Sequence, residues 1–403
     1  MQQMVRENNV FCITNQGLNE PKRYDKDGIH YITVRPRLFQ RVSEYIKHGN
    51  TSYQLRQKLK NSAVFLNRIK LMLTLPMWPL ISPLYTRRVI RAALNLCKET
   101  HVDCVVSIYT QIDTLIAGFK LKEKYSSMQF IPCFLDSLSG GYGPRIFSEK
   151  QTRERGLKWE NRILPSADHI IMMESSREHH KRYSSDFEYY SRMAFLDLPL
   201  LQIDAAKKCI CAGLMDHTKY NFLYVGTLPS GIRSPSFLLK IISSIQNDAY
   251  HFYFVGTDTC EELNDAAGED SRISVIGRVS HEIALQFECE ADILINIGNV
   301  NINMAPSKLF EYISFGKPII STASSNADPC IEYLKDYPLA LILSEEKAEL
   351  KCAANQIGEF VANACGKTVK SEVIQNAYRW NDPSVYSRSI VQWVGEHYES
   401  TSN

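Results

Sequence analysis

Short apolar, β-rich runs alternate with helical segments along the chain, and this alternation is the feature that most restricts its fold. Strand–helix–strand units build parallel sheets, because two parallel strands need a crossover between them. The apolar runs are nearly continuous, which predicts strands covered by helices on both faces. The predicted strands are residues 10–14, 31–34, 104–108, 130–135, 169–173, 222–225, 251–255, 273–276, 293–297, 318–321 and 339–343.

A chain of 403 residues is long enough for two domains, at about 100–200 residues per domain. The strand pattern fades into a polar stretch and then restarts, so we expect domains at 1–200 and 221–383 with a linker at 201–220. A final helix is expected at 384–403, and the family resemblance described below implies that it crosses back to the first domain. The predicted fold class is α/β, with two Rossmann-like doubly wound parallel-sheet domains facing a cleft, where such folds bind ligands.

Composition excludes several classes of protein. The net charge of +2 does not indicate a nucleic-acid binder. The first nine residues are polar and charged and no run of eighteen apolar residues exists, so neither a signal peptide nor a spanning helix is expected. The eleven cysteines lack metal-ligand spacing. Cys209 and Cys211 are one residue apart, as in alternate strand or loop positions, and we expect reduced thiols.

The segment LMLTLPMWPLISP at 71–83 has two interpretations. Its apolar residues lie between Arg68 and Lys70 on one side and three arginines on the other, a pattern typical of a membrane interface. Its three prolines also suit a buried loop that leads into a helix, and this is the interpretation we favour.

Three predicted strands of the second half end in glycine. Gly226, Gly256 and Gly277 each follow an apolar run directly. Glycine lets the backbone approach a ligand closely because it has no Cβ. Three such junctions at the carboxyl ends of parallel strands predict one shared crevice.

The segment PSKLFEYISFG carries the strongest chemical pattern. Pro306 and Ser307 suit a helix start, where free N–H groups and the Lys308 ammonium form an anion site for a diphosphate. Glu311 lies on nearly the same helix face and can accept hydrogen bonds from a ribose diol. Gly316 ends the helix. The alternative is a plain amphipathic helix with a solvent-facing Lys–Glu pair.

PSKLFEYISFGKPII resembles the donor-binding helix of GT-B glycosyltransferases, specifically the family-4 group of retaining enzymes, or glycosyl transferases group 1. FLYVGTLPSGIRSPSFLL, HFYFVGTDT and ISVIGRVSHEIALQFECEADILINIGN resemble other parts of the same C-terminal domain. KWENRILPSADHIIMMESSREHHKRY resembles a segment of the N-terminal domain. The resemblance spans about residues 100–390 and implies an acceptor-side first domain and a nucleotide-sugar-binding second domain.

The resemblance implies that Arg233 and Lys308 hold the donor diphosphate and stabilise it as it leaves. Gly226 and Thr227 would lie beneath the phosphates or sugar, and Glu311 would bind ribose. The full set of donor-binding residues implied is Gly226, Thr227, Gly256, Arg278, Val279, Asn303, Ser307, Leu309 and Glu311. Arg278 and Val279 would flank the nucleobase.

Asn303 departs from the family, whose members commonly carry an acidic residue at this position against the transferred sugar. An amide still hydrogen-bonds hydroxyls but carries no charge, so the donor sugar and the retaining outcome are not specified by this pair.

On the acceptor side, Asp136 follows a predicted strand and precedes a glycine-rich loop that we expect to be flexible. It could act in catalysis by holding acceptor hydroxyls, or it could cap the loop in an Asx turn. We interpret Glu160 as a structural helix residue and the pair His179 and His180 as solvated.

The amino terminus also departs from the family. Residues 1–9 resemble only the last turns of the expected first helix, and residues 10–14 match the second strand. The chain is therefore expected to lack its first β-α unit, through a late start or a truncation. Loss of an internal strand would cost several kcal/mol, so we expect poor stability or activity.

The resemblance implies a metal-independent, retaining, hexosyltransferase-like enzyme without a cofactor. It would move a sugar from a UDP- or GDP-sugar to a glycan or polyprenyl-linked acceptor in bacterial surface polysaccharide synthesis (capsule, exopolysaccharide or O-antigen). We expect it in the cytoplasm, either free or peripheral on the inner face of the cytoplasmic membrane, without nucleic-acid partners. The alternatives are a nucleotide-sugar epimerase of the same fold and a non-catalytic partner of a glycosyltransferase.

Overall fold

The computed structural model describes residues 4–6, 8–17, 19–48, 53–201, 203, 213–257, 259–346 and 349–401. The chain divides into two compact units. Unit 1 comprises residues 1–196 and 386–403, and unit 2 comprises residues 197–385. Cys209 and Cys211 lie outside the described residues.

Unit 1 contains two separate sheets. Its strands are β1 Val10–Asn15, β2 Arg23–Lys26, β3 Ile29–Val34, β4 Cys104–Tyr109, β5 Gln129–Phe134, β6 Ile170–Met173 and β7 Met193–Leu196. One sheet has the order β1-β3-β2, with β2 antiparallel to β3. The other has the order β4-β5-β6-β7 and is parallel throughout. Among the described residues no strand pairing joins the two.

Helices cover the strands of unit 1. They are α1 Leu38–His48, α2 Tyr53–Thr74, α3 Pro83–Glu99, α4 Ile112–Lys124, α5 Glu149–Ile163 and α6 Arg177–Ser184. Pro83 stands in the first turn of α3, where its missing N–H is not needed. A capping box between Ser148 and Gln151 starts α5. Leu115 of α4 packs against the buried Phe130 of β5 in the unit's main core.

Unit 2 is built on one six-stranded parallel sheet. Its strands are β8 Tyr220–Val225, β9 Tyr250–Val255, β10 Ile273–Ile276, β11 Ile293–Ile297, β12 Ile319–Ala323 and β13 Ala340–Ser344. They stand in the order β10-β9-β8-β11-β12-β13. The order therefore reverses between β8 and β11, which is the switch point where sheets of this kind bind ligands.

The helices of unit 2 follow its strands in the chain. They are α7 Ser236–Ser244, α8 Glu261–Glu269, α9 His281–Glu290, α10 Lys308–Phe315, α11 Pro329–Leu334, α12 Leu350–Ala364 and α13 Ser371–Ala377. A last helix, α14 Pro383–Thr401, belongs to unit 1 from Tyr386 onward. There Trp393 stacks on His169 with ring centroids 4.5 Å apart.

All eleven predicted strands are present, within two residues at each end. The prediction missed β2 and β7. The sequence of β2 is RYDK, which is polar and mostly exposed, so it carries no apolar run. The four residues of β7 are too few for a pattern to stand out.

The interpretation of residues 71–83 as a buried loop that leads into a helix is wrong for residues 71–73, whereas the helix begins at Pro83 as expected. Leu71, Met72 and Leu73 form the end of α2 and are exposed to solvent. The prolines interrupt regular structure only after α2 has ended. Pro76 lies in a 3-10 turn and Pro83 starts α3.

The expectation of reduced thiols is wrong at Cys289, which is disulfide-bonded, while eight other cysteines are free. Within the described ranges, no helix is both long and apolar enough to cross a membrane. The same ranges contain no group of three or more His, Cys, Asp or Glu residues that could hold a metal ion.

Candidate functional site

The structure brings the glycine junctions of β8, β9 and β10 together at one edge of the sheet. The N–H of Gly226 donates to the Val255 carbonyl at 2.9 Å, and the N–H of Gly256 donates to the Ile276 carbonyl at 2.8 Å. Gly256 has a φ of +86°, and a Cβ there would lie 3.0 Å from the Gly226 carbonyl oxygen. Only glycine fits position 256 without strain, so the close approach of these two strand ends requires a glycine there.

Beside this edge, Lys308 at the start of α10 lies between two carboxylates. Its Nζ is 2.8 Å from Oε1 of Glu288 and 2.9 Å from Oε2 of Glu311. Glu311 lies one turn along the same helix, whereas Glu288 comes from α9. The predicted Lys–Glu pair is therefore present, but it is largely buried instead of solvent-facing. We call Glu288, Lys308 and Glu311 the donor cluster.

Burial governs the charges of the donor cluster. The Glu288 side chain is fully buried, and this burial raises its pKa to about 8. Burial disfavours the charged form of Lys308, but attraction by Glu288 and Glu311 outweighs it and raises the pKa of the ammonium. At neutral pH, Glu288 therefore holds a proton while Lys308 stays charged.

Two carboxyl oxygens in the donor cluster are buried without a hydrogen-bond partner. They are Oε2 of Glu288 and Oε1 of Glu311. A buried oxygen without a partner costs about 1–3 kcal/mol, so such atoms call for an explanation. The protonated Glu288 carboxyl hydrogen-bonds the Glu311 side chain, so the two carboxyl groups can satisfy each other.

Arg233 is held in place by two residues that sequence reasoning missed. Its Nε and Nη2 donate to Oδ1 of Asn299 at 3.1 and 2.8 Å, and its Nη1 donates to the Tyr224 hydroxyl at 3.1 Å. Asn299 is itself anchored, because its Nδ2 donates to the Met304 carbonyl at 2.8 Å. Of the five N–H donors of a guanidinium, these bonds use three, so two remain for an anion.

The loop before α10 differs from the expectation. Ser307 occupies the N-cap position, but its backbone is helical and its side chain makes no capping hydrogen bond. The expected cap is absent because the Pro306 carbonyl already accepts from the Leu309 N–H at 3.2 Å. The Ser307 side chain is exposed instead. Asn303 is half-buried, and its N–H donates to Oδ1 of Asn301 at 2.9 Å.

The remaining predicted donor residues vary in exposure. Thr227 and Arg278 are exposed, and Val279 is half-buried. Leu309 is fully buried in the core, so its side chain packs and is not available to a ligand. The expectation for Gly316 is confirmed, since it ends α10 with a left-handed backbone at φ +70°.

In unit 1, Asp136 follows β5 as expected and is exposed. Desolvation by the surrounding protein raises its pKa to about 6. The loop behind it is not flexible. Ser137 Oγ accepts from the Gly140 N–H at 2.8 Å and lies 3.2 Å from Nε2 of His180. Ser139 Oγ lies 2.9 Å from Nε2 of His179.

The interpretation of His179 and His180 as solvated is wrong, because both are buried against this loop. Burial lowers the pKa of His179 to about 4 and that of His180 to about 3, so both are neutral at pH 7. Glu160 accepts from the Ser139 N–H at 2.9 Å, in keeping with a structural role, and burial raises its pKa to about 7. We call Ser137, Ser139, Glu160, His179 and His180 the loop cluster.

The sequence contains only weak indications of three residues of this site, namely Glu288, Asn299 and Tyr224. Glu288 lies in FECEAD, an acidic residue among apolar ones just before a strand, and this is the one hint that a buried carboxylate was present. Tyr224 belongs to an apolar strand and Asn299 follows one. In the sequence, both look like many other core or loop residues.

The comparisons with known proteins agree with this geometry. Residues 219–357 match the family model described as glycosyl transferases group 1. No curated protein matches the chain by sequence.

Three solved structures share the fold. The chain is similar to a sucrose-phosphate synthase of Thermosynechococcus elongatus, with 14% identity, a TM-score of 0.67 and coverage of 99% of this chain and 91% of that one. An α,α-trehalose-phosphate synthase (UDP-forming) of Burkholderia xenovorans has 10% identity, a TM-score of 0.60 and coverage of 98% and 95%. An Anabaena protein in complex with UDP-glucose has 13% identity, a TM-score of 0.51 and coverage of 80% and 84%.

These likenesses define an α/β protein of the GT-B fold.

Proposed function

We propose that the chain is a glycosyltransferase that binds a nucleoside-diphosphate-sugar at the donor cluster and transfers the sugar to a glycan or lipid-linked acceptor. The observation that carries this proposal is the position of Lys308, a buried cation at a helix start beside the glycine edge of β8 and β9. Such a position favours a diphosphate, because helix N–H groups and the ammonium act together.

In this proposal, Arg233 supplies the second cation. Its guanidinium is oriented by Asn299 and Tyr224, so it loses little freedom when it binds a phosphate. Negative charge develops on the diphosphate as the bond to the sugar breaks. Two fixed cations lower the energy of that state, which is the role a metal ion has in other enzymes.

Glu311 would bind the ribose, since its side chain is partly exposed and a carboxylate can accept hydrogen bonds from a diol. Asn303 would hydrogen-bond the transferred sugar through its amide. Asp136 would hold an acceptor hydroxyl, because it is exposed on a loop that the loop cluster keeps rigid. A pKa of about 6 leaves Asp136 ionised at neutral pH and able to accept that hydrogen bond.

UDP is the nucleotide we favour for the donor. The Anabaena protein of similar fold was solved with UDP-glucose, and the trehalose-phosphate synthase of similar fold is described as UDP-forming. We further propose a metal-independent, retaining transfer in the assembly of a bacterial surface polysaccharide.

The proposal is tested by calorimetric titration of the chain with UDP and with GDP, followed by incubation with the matching sugar nucleotides. We expect Arg233→Met to weaken nucleotide diphosphate binding by about a hundredfold, because charge-assisted contacts of this kind contribute about 2–3 kcal/mol. The matched control is Arg379→Met, which removes an exposed arginine of the same unit and should leave binding unchanged.

Absence of binding to either nucleotide would overturn the proposal. Binding without sugar transfer or donor hydrolysis would support a non-catalytic partner protein instead. Interconversion of the free sugar nucleotide would support an epimerase.

A further inference from the structure

The loop between β11 and α10 alternates polar and apolar residues. Residues 299–304 read NVNINM, and we call this stretch the NVNINM loop. It follows the carboxyl end of β11, one of the two strands at which the order of the sheet reverses. Ligands of such sheets bind outside the carboxyl ends of the strands at that point, so the loop stands at the expected ligand site.

Backbone hydrogen bonds fix the NVNINM loop. The N–H of Val300 donates to the carbonyl of Ile232 at 2.9 Å, and Ile232 directly precedes Arg233 in the chain. Farther along, the N–H of Met304 donates to the carbonyl of Asn301 at 3.3 Å, so the second half of the loop closes on itself. The loop therefore keeps its shape and its place beside the proposed diphosphate cation.

Two apolar side chains of this fixed loop are exposed. Val300 is 57% exposed and Ile302 is 45% exposed. Val300 is next in the chain to Asn299, which orients Arg233, and Ile302 is next to Asn303. A single exposed apolar residue is common on a protein surface, but two of them on a fixed loop at a ligand site indicate that the ligand has an apolar part.

Few groups of a sugar nucleotide could supply that apolar part. In the proposed function, Arg233 and Lys308 bind the phosphates, Glu311 binds the ribose and Asn303 binds the transferred sugar. The sugar is thus the part next to Ile302. A plain hexose has a hydroxyl on nearly every ring carbon and would cover apolar side chains poorly, whereas a sugar with a methyl-bearing substituent would cover them well.

The amide of Asn303 indicates which substituent this is. A carboxylate at this position could only accept hydrogen bonds, whereas an asparagine amide can also donate them. An acetamido group has a carbonyl that needs a donor, and it ends in a methyl group. A 6-deoxy sugar has the methyl group as well, but it offers only hydroxyls, which a carboxylate would bind at least as strongly.

We propose that the NVNINM loop selects a donor whose transferred sugar is an N-acetylhexosamine. Asn303 donates to the acetamido carbonyl, and Val300 and Ile302 pack against the acetamido methyl group. The inference rests on the proposed function, because it takes the ligand of the donor cluster to be a sugar nucleotide.

Calorimetric titration of the full chain with two matched pairs of sugar nucleotides tests the inference. UDP-glucose is compared with UDP-N-acetylglucosamine, and UDP-galactose with UDP-N-acetylgalactosamine. In at least one pair we expect the acetamido form to bind about tenfold more tightly, since a buried methyl group contributes about fourfold and one added hydrogen bond about threefold. UDP-6-deoxyglucose should bind within about threefold of UDP-glucose.

Variants are judged by the ratio of the two affinities within a pair, so that a general loss of donor binding cancels. V300S/I302S should lower this ratio about fourfold, because the methyl group loses its apolar contacts. N303D should lower it about threefold, because a carboxylate cannot donate to the acetamido carbonyl.

The matched control is L350S/V373S, which removes two exposed apolar side chains from α12 and α13 of the same unit. It should leave the ratio as it is in the wild type. Titration with UDP alone, which has no sugar to select, establishes that each variant keeps a folded nucleotide site.

The outcomes separate this inference from the proposed function. If UDP does not bind, both fail. If UDP binds and neither acetamido form is preferred, the proposed function stands and the inference is overturned. Tighter binding of UDP-6-deoxyglucose than of both acetamido forms would also overturn it, as would a V300S/I302S variant with the ratio of the wild type.

Discussion

Each unit buries a glutamate close to a loop beside its parallel sheet, and Glu160 of unit 1 has different partners from Glu288 of unit 2. Glu160 in unit 1 accepts from a backbone N–H and is surrounded by serines and neutral histidines. Glu288 in unit 2 contacts the Lys308 ammonium, which it shares with Glu311. No described cation lies within ion-pair distance of Glu160, whereas Glu288 lies 2.8 Å from the Lys308 ammonium.

The difference indicates two roles. The serines, histidines and Glu160 of the loop cluster bond to one another and to the loop backbone, which fixes the shape of the loop, although Oε2 of Glu160 is buried without a partner. The half-buried Lys308 ammonium is costly to desolvate, and binding of an anion beside it offsets part of that cost. We therefore interpret the loop cluster as a support for Asp136 and the donor cluster as a ligand site.

The largest expected effect follows from removing the one cation of the donor cluster. Lys308→Met leaves two carboxyl groups facing each other, and breaking a buried ion pair costs about 3–5 kcal/mol. We expect unit 2 to melt at a lower temperature and UDP binding to fall by more than about a hundredfold. Differential scanning calorimetry and titration with UDP measure both effects.

Lys240→Met, at an exposed site of the same unit, is the matched control and should change neither quantity. If Lys308→Met bound UDP within about twofold of the wild type, the proposed distinction between the two clusters would be lost.

The second effect concerns stability in unit 1. Folding raises the pKa of Glu160 from 4.5 to about 7. Its stabilising contribution is therefore fully present below pH 4.5 and is lost as the pH rises through about 7. Glu160→Gln stays neutral and keeps an oxygen to accept from Ser139, so at high pH it should be more stable than the wild type by about 2 kcal/mol.

Denaturant unfolding at pH 5 and at pH 8 measures this effect, with Glu154→Gln as an exposed control on the same helix. His179 and His180 act in the opposite direction, because their lowered pKa values destabilise the fold as the pH falls below 6.5. A Glu160→Gln variant with the same pH dependence as the wild type would contradict the assignment.

The smallest effect is a change in the pH profile of donor binding. Glu288 loses its proton as the pH rises through about 8, which adds a negative charge beside the diphosphate site. UDP affinity of the wild type should therefore fall by about tenfold above that pH, and Glu288→Gln should abolish the fall. Titrations at several pH values test this, with the exposed Glu282→Gln on the same helix as control. A wild-type affinity that stayed constant across this range would refute the role given to Glu288.

Local patterns predicted much of the fold. The eleven strands found from apolar runs are correct because a strand covered on both faces must be apolar, whatever its neighbours are. The turn at Gly316 was equally local, since a left-handed backbone after a helix favours glycine.

The wrong predictions concern exposure. His179 and His180 look like surface residues because their helix is polar, yet the serines of a distant loop give them partners in the interior. Residues 71–73 look like core residues because they are apolar, yet no element in the described ranges covers them. Burial depends on what packs against a residue, which one segment does not encode.

The sequence by itself determined the alternation of strands and helices, the glycine junctions and the Lys308–Glu311 pair, because each depends on residues within one or two helical turns. Tertiary structure decided the rest of the site. Glu288 reaches Lys308 across 20 residues, and Asn299 reaches Arg233 across 66. Neither contact is implied by spacing along the chain, since it is the order of strands in the sheet that brings these loops together.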